Sequence, residues 1–402
     1  MKLSEELKWR GFVAENTFRS IEELDERTHK FYLGMDPSAD SLTIGNLAAL
    51  MMCHCFIKHG YEPTLLVGGA TGQIGDPKES CERDLKSLEE IEHNKAKIAA
   101  QYKQVIESDF QLVDNYDWFQ DIKFIPFLRE IGKQFSMTQL LDREFVKARI
   151  GNCTAGISYA EFSYSLIQGY DFLHLFRTYG IDLQICGADQ FGNCVSGVHL
   201  IKRLENTQAH IWATPLVIDK VSGRKFGKSE GNAIWLAPEK TSILDFYQFW
   251  LNLPDVGIED YLKIYTLITP EELDELMAKH QEDPSARLAQ KDLARRVTWI
   301  VHGGQKAESV VKITTALFGD CDLKNLENQD LSLLSEFIPT LSPETTLLEA
   351  LVESKVATSK SEARNLITSG AICINGTKTT EDKPITTTSI IKKGKNKFIL
   401  IK

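Results

Sequence analysis

Three polar side chains stand at helical spacing in the segment 161–176, which is otherwise rich in apolar residues. Tyr164, Gln168 and Asp171 occupy positions i, i+4 and i+7, so all three leave one face of a helix. A hydroxyl, an amide and a carboxylate in one stripe can bind a small zwitterion or a hydroxyl group. A solvated polar face is the alternative, but the tyrosine and its apolar neighbours favour the lining of a pocket.

Two lysines fall in a glycine-rich loop that spans residues 221–232. Its core contains Lys225, Lys228 and Ser229 and reads KFGKS. Two positive charges on a mobile segment can swing in and neutralise a leaving polyphosphate. Taken alone, such a string is also typical of a solvated basic loop.

A strand, a loop and a helix follow one another in residues 31–50, FYLGMDPSADSLTIGNLAAL. Phe31–Met35 is short and apolar, as a buried strand should be, and a helical pattern begins at Ile44. A helix that begins after a strand directs its free N–H groups above the sheet, which suits a phosphate. Gly45 would let a flat base approach closely. An ordinary strand–helix unit of an α/β domain remains the alternative.

Two more apolar strands end in polar residues. Thr64–Val67 leads into Gly68–Pro77, GGATGQIGDP, which contains Asp76, and open α/β sheets bind ligands at this edge. Leu183–Cys186 is followed by Gly187, Ala188, Asp189 and Gln190, which could meet a ribose or a carbonyl group. A tight structural turn explains either segment equally well. Arg83, in a charged stretch, is a further candidate for a phosphate contact, although a solvated helix face is the better expectation there.

Composition places the 402 residues among soluble globular proteins of two or three domains, with 43% apolar and 25% charged residues. No apolar run has the length of a membrane span, and the N-terminus has no apolar signal core. Eight cysteines without CxxC spacing favour a reducing cytoplasm. Cys53 and Cys55 would point apart on a helix, which argues against a metal site there.

Charge is distributed unevenly along the chain. The net charge is -10, but residues 354–402 carry ten Lys/Arg against three Asp/Glu, a local charge of +7. A basic terminal module on an acidic body indicates local contact with a polyanion. The cations that could form one nucleic-acid surface are Lys355, Lys360, Arg364, Lys392, Lys393, Lys395 and Lys397.

Apolar strands that alternate with helices predict an α/β fold with a parallel sheet. We expect helices over Ala99–Leu112 and Ile122–Phe135, a strand ending at Ile218, and a helical region from Ala237 to Leu317. Apolar residues around 124–145 suit a subunit interface, although the core is the commoner place for any one of them. Cys321–Pro343 is polar and reads as a linker.

Five motifs then give a specific resemblance: YLGMDPSADSLTIGNL, VGGATGQIGDP, AEFSYSLIQGYDFL, GADQFGN and KFGKS. In this order and spacing they resemble the bacterial tyrosyl-tRNA synthetases, and the basic tail resembles a small RNA-binding module shared with a ribosomal protein. The resemblance implies a Rossmann-like parallel-sheet catalytic domain, an α-helical middle domain and a small α+β RNA-binding module. The implied domains are 1–220 (catalytic, with an inserted helical, dimerising region), 221–236 (the mobile loop), 237–320 (helical, on the anticodon side of the tRNA), 321–344 (linker) and 345–402 (RNA-binding).

The implied chemistry is class I aminoacylation. Tyrosine attacks the α-phosphate of ATP to give tyrosyl-adenylate and pyrophosphate, and the tyrosyl group then passes to the terminal adenosine of tRNA(Tyr). Mg²⁺ would accompany ATP without a dedicated protein cage. A cytoplasmic homodimer without membrane contact is implied as well.

The resemblance also implies roles for residues at matching positions. Tyr32 and Asp171 would hydrogen-bond the substrate phenol, and an enzyme of this kind is the standard example of a hydroxyl-binding pair that rejects phenylalanine. The ammonium group would be held by Asp76, Tyr164 and Gln168. Gln190 would contact the carbonyl region and Asp189 the ribose. The implied ATP and phosphate residues are Gly34, Asp36, Thr43, Gly45, Asn46, Lys225, Lys228 and Ser229.

Two positions depart from the family pattern. Thr43 stands where most members have the first histidine of a HIGH-like motif, and Leu33 stands where many have a small polar residue. Thr43 offers a shorter donor, which would reach a phosphate only through water. We therefore expect slower chemistry or weaker ATP binding, and pyrophosphate exchange by a Thr43→His variant tests this.

Three other functions stay open from the sequence. A tryptophanyl-tRNA synthetase shares the fold, but Tyr32 with Asp171 disfavours an indole. A small-molecule nucleotidylyltransferase is disfavoured by the RNA-binding tail. An inactive RNA-binding protein is supported by Thr43 alone, and the KFGKS loop and the complete amino-acid pocket are against it.

Overall fold

The computed structural model describes residues 1–76, 85–141, 146–147, 157–229, 232–319 and 323–402, and only the backbone of residues 139, 228, 229 and 232. The chain divides into two compact units. The first comprises residues 1–240 and 254–289, and the second comprises residues 241–253 and 290–402. Every catalytic, tyrosine-binding or ATP-binding residue predicted from the sequence belongs to the first unit, and the predicted nucleic-acid-binding cations belong to the second.

A five-stranded sheet forms the centre of the first unit. Its strands are β1 (Lys30–Met35), β2 (Glu62–Val67), β3 (Gln111–Asp114), β4 (Leu183–Gly187) and β5 (His210–Thr214). All neighbours pair in parallel, in the order β3-β2-β1-β4-β5. From β1 the chain builds outward to β2 and β3 and then crosses to β4 and β5. The carboxyl ends of β1 and β4 therefore flank the switch point at which open α/β sheets bind ligands, and the predicted α/β class is confirmed.

Eleven helices of the first unit lie in the described residues. They are Leu3–Arg10, Ile44–Lys58, Thr71–Ile74, Leu88–Val105, Tyr116–Phe119, Phe124–Glu130, Met137–Leu141, Tyr159–Tyr179, Phe191–Glu205, Ile258–Tyr265 and Pro270–Glu282. Short 3₁₀ turns span Ile21–Asp25, Gly132–Gln134, Ala188–Gln190 and Pro284–Ala286. We call Ile44–Lys58 the crossover helix and Tyr159–Tyr179 the pocket helix.

The two named helices are held by burial and by their caps. On the crossover helix Leu47, Leu50 and Met51 are buried, as the apolar spacing predicts. The pocket helix begins at Ser158, whose hydroxyl accepts the Glu161 N–H at 3.2 Å. Phe172 and Leu173 anchor the pocket helix in the core beside β4 and β5. Each helix therefore presents a defined face to the carboxyl edge of the sheet.

Several predicted elements differ from the structure. The helix expected over Ala99–Leu112 ends at Val105, because Gln111–Asp114 is the edge strand β3. The helix expected over Ile122–Phe135 is reduced to Phe124–Glu130 and a 3₁₀ turn. Short edge strands next to polar residues carry too weak a pattern to be separated from a helix end.

The last strand of the parallel sheet was also placed wrongly in the sequence analysis. No strand ends at Ile218; this residue forms a single antiparallel bridge to Lys225. The last strand is instead β5, which is buried along its whole length although it contains His210 and Trp212. A buried strand with polar and aromatic members does not show the continuous aliphatic run by which β2 and β4 were recognised.

The second unit combines helices with a small sheet. Its helices are Ile243–Leu251, Leu288–His302 (all but its first two residues), Gly304–Phe318, Asn328–Phe337, Leu347–Glu353 and Lys360–Thr368. Strands β8 (Thr340–Leu341), β10 (Ile372–Ile374), β11 (Thr377–Thr379), β13 (Ser389–Lys393) and β14 (Lys397–Ile401) form a sheet in the order β11-β10-β13-β14-β8. Two-residue strands pair as β9 (Thr345–Thr346) with β12 (Pro384–Ile385) and, in the first unit, β6 (Lys228–Ser229) with β7 (Asn232–Ala233).

The segment predicted as a linker contains ordered structure. Within its described part, Asn328–Phe337 is a helix that buries Leu331 and Leu334. Asn375 and Gly376 form the turn of a hairpin, because Ile374 pairs with Thr377 across them and both residues have positive φ. In the described part of the chain, no helix has the length and apolar character needed to cross a membrane.

Candidate active site

A cavity of about 680 Å³ opens at the carboxyl ends of β1 and β4. Its walls come from β1, the start of the crossover helix, the pocket helix, the end of β4 and the segment 214–227. It brings together all the predicted site residues except Lys228 and Ser229, whose side chains lie outside the described part. The residues brought together are Tyr32, Gly34, Asp36, Thr43, Gly45, Asn46, Asp76, Tyr164, Gln168, Asp171, Asp189, Gln190 and Lys225. Arg83 also lies outside the described residues.

Tyr32 and Asp171 lie at the buried end of this cavity. The Tyr32 side chain is 1% exposed, its ring centroid lies 5.3 Å from that of Phe172, and its hydroxyl has no hydrogen-bond partner among the described residues. Asp171 accepts two hydrogen bonds, from Trp118 Nε1 at 2.9 Å and from Asn115 Nδ2 at 3.1 Å. A buried hydroxyl without a partner is costly, so its presence in a cavity indicates a polar ligand group.

The environment of this pair sets its protonation. Burial raises the pKa of Asp171 to about 8, while the hydrogen bonds from Asn115 and Trp118 act in the opposite direction. Burial also raises the pKa of Tyr32 well above its usual value, with smaller contributions from Cys194 and Asp171. Tyr32 therefore remains a neutral hydroxyl, able to donate one hydrogen bond and to accept another.

Asn115 and Trp118 were not identified from the sequence. Asn115 is fully buried, and besides Asp171 its amide contacts Thr71 Oγ1 at 3.1 Å and accepts the Ala70 N–H at 2.7 Å. The Trp118 ring stacks on His174 at 4.4 Å. Asn115 follows β3 directly and Trp118 lies three residues further on, so recognition of that strand would have placed both at the ligand-binding edge.

A second cluster joins β1, the glycine-rich loop and the pocket helix. Asp36 accepts from Tyr164 Oη at 2.7 Å and from Thr71 Oγ1 at 2.6 Å. Gly68 makes this convergence possible, since a Cβ atom there would lie 2.2 Å from both Asp36 Oδ1 and Thr71 Oγ1. Burial, and then the charges of Asp36 and Asp76, raise the pKa of Tyr164 well above its usual value. Tyr164 is therefore a fixed donor in this wall.

Asp76 and Gln168 face the middle of the cavity. Asp76 accepts from Gln190 Nε2 at 3.0 Å and from Asn193 Nδ2 at 3.3 Å. Gln168 Nε2 lies 3.8 Å from Cys194 Sγ, and Gln168 Oε1 is buried without a partner among the described residues. Carboxylates and an unpaired amide oxygen form a surface suited to a cationic donor such as an ammonium group.

The mouth of the cavity contains the start of the crossover helix. Thr43 precedes its first turn, and both the backbone N–H and the hydroxyl of Thr43 lie within hydrogen-bond distance of Asn46 Oδ1, at 3.0 and 2.9 Å. The Thr43 hydroxyl was expected to contact a phosphate through water, but its proton is directed to Asn46 Oδ1. Leu33, the other departure from the family pattern, is 3% exposed and lines the cavity without offering a hydrogen bond.

The lysine-containing loop closes one side of the mouth. Lys225 Nζ lies 3.3 Å from Asp189 Oδ2, and both side chains are more than 40% exposed. Gly227 has a φ of 74°, and a Cβ atom there would lie 2.5 Å from Ile44 of the crossover helix. The residues after the loop also meet this helix, because the Ile44 N–H donates to the Ile234 carbonyl at 3.1 Å. The loop is thus anchored beside the helix start while Lys225 stays accessible.

The cations of the second unit divide into two groups. Lys392 donates to the Leu317 carbonyl at 3.1 Å and Lys393 donates to the Val356 carbonyl at 3.0 Å. Both lysines therefore stabilise the folded second unit. The remaining five of the predicted cations are exposed: Lys355, Lys360, Arg364, Lys395 and Lys397. The predicted basic surface is therefore reduced to these five residues.

Comparison with known proteins defines the family to which the chain belongs. A family model described as tRNA synthetases class I (W and Y) matches residues 24–319. The chain belongs to this family, which confirms the resemblance inferred from the motifs. Residues 333–401 match a second model, the tyrosine–tRNA ligase SYY-like C-terminal domain.

Full-length relatives narrow the class further. Tyrosine–tRNA ligase 2 of Bacillus cereus (strain ZK / E33L) is 40% identical over 424 residues and covers 100% of both chains. Tyrosine–tRNA ligase of Streptococcus agalactiae serotype Ia is 39% identical and covers 100% of this chain and 99% of its own. Within the class I synthetases, the chain is therefore a member of the tyrosine–tRNA ligases.

Solved structures agree with this assignment. A C-terminally truncated mitochondrial tyrosyl-tRNA synthetase of Aspergillus nidulans is 27% identical, with a TM-score of 0.70, and the match covers 79% of this chain and 94% of that one. A tryptophanyl-tRNA synthetase of Encephalitozoon cuniculi shares the fold, with a TM-score of 0.56 at 13% identity over 82% of this chain and 91% of that one. The predicted fold class is confirmed by these structures.

Proposed function

We propose that the cavity binds L-tyrosine and ATP side by side and that the chain attaches tyrosine to its tRNA. The observation that carries the proposal is the polar pair at the buried end. The Tyr32 hydroxyl has no partner among the described residues, and Asp171 is held in place by Asn115 and Trp118. A phenol hydroxyl would accept from Tyr32 and donate to Asp171, so both buried groups would be satisfied.

The amino-acid backbone would lie in the middle of the cavity. Its ammonium group can donate to Asp76, to Gln168 Oε1 and to the Tyr164 hydroxyl oxygen, all of which line this region. Gln190, which is fixed by its hydrogen bond to Asp76, would face the carboxylate carbon. This arrangement leaves a carboxylate oxygen directed toward the mouth, where ATP would bind.

ATP would occupy the mouth, with its ribose at Asp189 and its phosphates at the start of the crossover helix. The free N–H groups of a first helical turn favour an anion there. The residues proposed along the nucleotide are Gly34, Asp36, Gly45 and Asn46, and those proposed to close on the phosphates are Lys225, Lys228 and Ser229. Mg²⁺ would arrive with ATP, whose phosphates supply most of its ligands.

The proposed reaction has two steps and no covalent enzyme intermediate. First, a tyrosine carboxylate oxygen attacks the α-phosphorus, the bond to the β-phosphate oxygen breaks, and pyrophosphate leaves. Second, a hydroxyl of the tRNA terminal adenosine attacks the tyrosyl carbonyl and AMP leaves. The protein contributes position and charge: the fixed pair aligns the substrate, and the loop lysines neutralise the leaving pyrophosphate.

Amino-acid-dependent ATP–pyrophosphate exchange tests this function. We expect exchange with tyrosine and only background rates with phenylalanine and tryptophan. Preferred exchange with tryptophan would overturn the assignment of the buried pair, and background rates with every standard amino acid would favour an inactive RNA-binding protein.

The tRNA would contact the second unit. The five exposed cations of the C-terminal part form the proposed contact with phosphates, which confers affinity that decreases with salt. The proposed domain limits remain 1–220, 221–236, 237–320, 321–344 and 345–402, with the helical part on the anticodon side. A reducing cytoplasm is the proposed location.

A homodimer is proposed from exposed apolar residues on both sides of residues 142–156. The exposed side chains are Phe124, Ile125, Met137, Leu141 and Tyr159. All five fall within 36 residues of sequence, and clustered exposed apolar side chains are typical of an interaction surface. Light scattering should show a dimer that Phe124→Asp with Ile125→Asp dissociates, whereas Leu267→Asp, at another exposed site of the first unit, leaves it intact. A monomeric wild type would contradict the proposal.

A further inference from the structure

The orientation of the Asn46 amide is fixed by Thr43. The Thr43 backbone N–H lies 3.0 Å from one terminal atom of Asn46, and an N–H group can only donate. That atom must therefore be the carbonyl oxygen, Oδ1. The Thr43 hydroxyl lies 2.9 Å from the same oxygen and must direct its proton there too. Two donors from one residue thus determine which end of the amide is the acceptor.

This orientation leaves the NH₂ group of Asn46 as the outward end of the amide. Asn46 is half-buried and lines the mouth of the cavity. Within the described part of the chain, the hydrogen bonds of the Asn46 side chain both end on Oδ1, and Nδ2 donates none. An amide held by its oxygen presents two N–H donors on the other side, and these donors suit a phosphate oxygen.

Thr43 is itself fixed from outside the crossover helix. It forms an antiparallel bridge with Trp235, and the neighbouring Leu42 carbonyl accepts from the Leu236 N–H at 2.8 Å. Trp235 and Leu236 follow the lysine-containing loop in sequence. The residue that orients Asn46 is therefore held by the same segment that anchors this loop.

We propose that Thr43 is a positioning residue, which turns the NH₂ group of Asn46 toward the phosphates of ATP. This inference rests on the proposed function. The water-mediated phosphate contact expected for Thr43 is replaced by a contact through Asn46. The Thr-x-x-Asn pair would thereby supply one oriented donor where the family pattern has a histidine. The chain would keep phosphate binding at the helix start although it lacks that histidine.

Matched variants separate these roles in tyrosine-dependent pyrophosphate exchange. Thr43→Val keeps the shape and the backbone hydrogen bond but removes the hydroxyl, and we expect kcat to fall roughly three- to tenfold, the effect of one hydrogen bond. Thr43→Ser should restore the rate to within about twofold of wild type. Tyrosine affinity measured without ATP should not change in either variant.

The combination with Asn46→Ala decides between an indirect and a direct role. If Thr43 acts through Asn46, Thr43→Val has no further effect on kcat in the Asn46→Ala background. An equal loss in both backgrounds would show that Thr43 contacts the phosphate itself and would overturn the proposal. A loss of melting temperature in Thr43→Val without a change in kcat would reduce Thr43 to a helix cap. Absence of exchange by the wild-type chain would instead refute the proposed function.

Discussion

The two ends of the cavity are built differently. At the buried end, Tyr32 and Asp171 lie on β1 and the pocket helix, and Asp171 is held by two hydrogen bonds from the segment after β3. At the mouth, Lys225 and Asp189 are exposed and connected by one ion pair. The buried end is thus suited to select a ligand by fixed geometry, and the mouth is suited to charge that moves during a reaction. Changes at the buried end should therefore alter stability and specificity together, and changes at the mouth should alter rate alone.

The largest effect is expected from Asp171→Ala at the buried end. The variant removes one of the two acceptors of Asn115 Nδ2, the acceptor of Trp118 Nε1 and the acceptor of the substrate phenol. We expect kcat/KM for tyrosine in pyrophosphate exchange to fall roughly 1,000-fold or more, from about 4 kcal/mol of lost hydrogen bonding. Unchanged kcat/KM would show that the phenol binds elsewhere.

A large effect on rate alone is expected from Lys225→Ala at the mouth. Loss of a charge directed at the leaving group should lower kcat roughly 100-fold. The melting temperature should stay the same, since an exposed ion pair contributes at most about 1 kcal/mol. Lys220→Ala removes a similar exposed pair, with Asp260 at 3.0 Å, and is the matched control without a role in rate. Equal losses of kcat in Lys225→Ala and Lys220→Ala would show that Lys225 has no specific role in the rate.

The connection between the two ends is tested by Gly68→Ala. Its Cβ atom would lie 2.2 Å from Asp36 Oδ1 and Thr71 Oγ1, so one of these groups must shift. We expect the free energy of unfolding to decrease by about 1–3 kcal/mol in chemical denaturation. Gly192→Ala, on a helix with no atom within 4 Å of the added Cβ, should change it little or raise it. Similar results for both variants would show that the wall around Asp36 is loosely packed.

The smallest effect is expected from pH. The pKa of Asp171 is about 8 because of burial, and a phenol donates best to the ionised carboxylate. Tyrosine affinity should therefore increase severalfold between about pH 6.5 and pH 8. Phenylalanine, which lacks the hydroxyl, should show no such change in calorimetry and serves as the control. A flat profile for tyrosine would mean that the neutral carboxyl group binds the phenol.

The same shift affects the stability of the free protein with a defined sign. The pKa of Asp171 in the folded state is raised above the ordinary value of 3.8, so its favourable contribution to folding is complete below that value. The contribution is lost as pH rises toward and through about 8. Asp171→Asn should remove this part of the pH dependence of the free energy of unfolding, and persistence of the full dependence would assign it to other groups.

The sequence predicted the parts of the site that regular elements hold. The spacing of Tyr164, Gln168 and Asp171 is enough to place them on one helix face, and the apolar strands β1, β2 and β4 fix the ligand-binding edge. Because parallel strands end at the same edge, these residues meet in one cavity as expected.

The features of the site and fold that the sequence analysis missed leave only weak or long-range signals in the sequence. Asn115 and Trp118 were missed because β3 has only four residues and was read as the end of a helix. The direction of the Thr43 hydroxyl depends on a side-chain contact with Asn46, which no periodicity records. The buried helix within the predicted linker was hidden by its polar composition, since only Leu331 and Leu334 mark its inner face.

Discrimination between tyrosine and phenylalanine is the sharpest test of the role of Tyr32 and Asp171 in binding the substrate phenol. The measurement is the ratio of kcat/KM for the two amino acids in pyrophosphate exchange, in the wild type and in Tyr32→Phe. Because phenylalanine leaves Tyr32 and Asp171 unsatisfied, we predict a wild-type ratio of roughly 100 or more, decreasing at least about tenfold in the variant. An equal ratio in both proteins would show that the buried hydroxyl of Tyr32 plays no part in recognition.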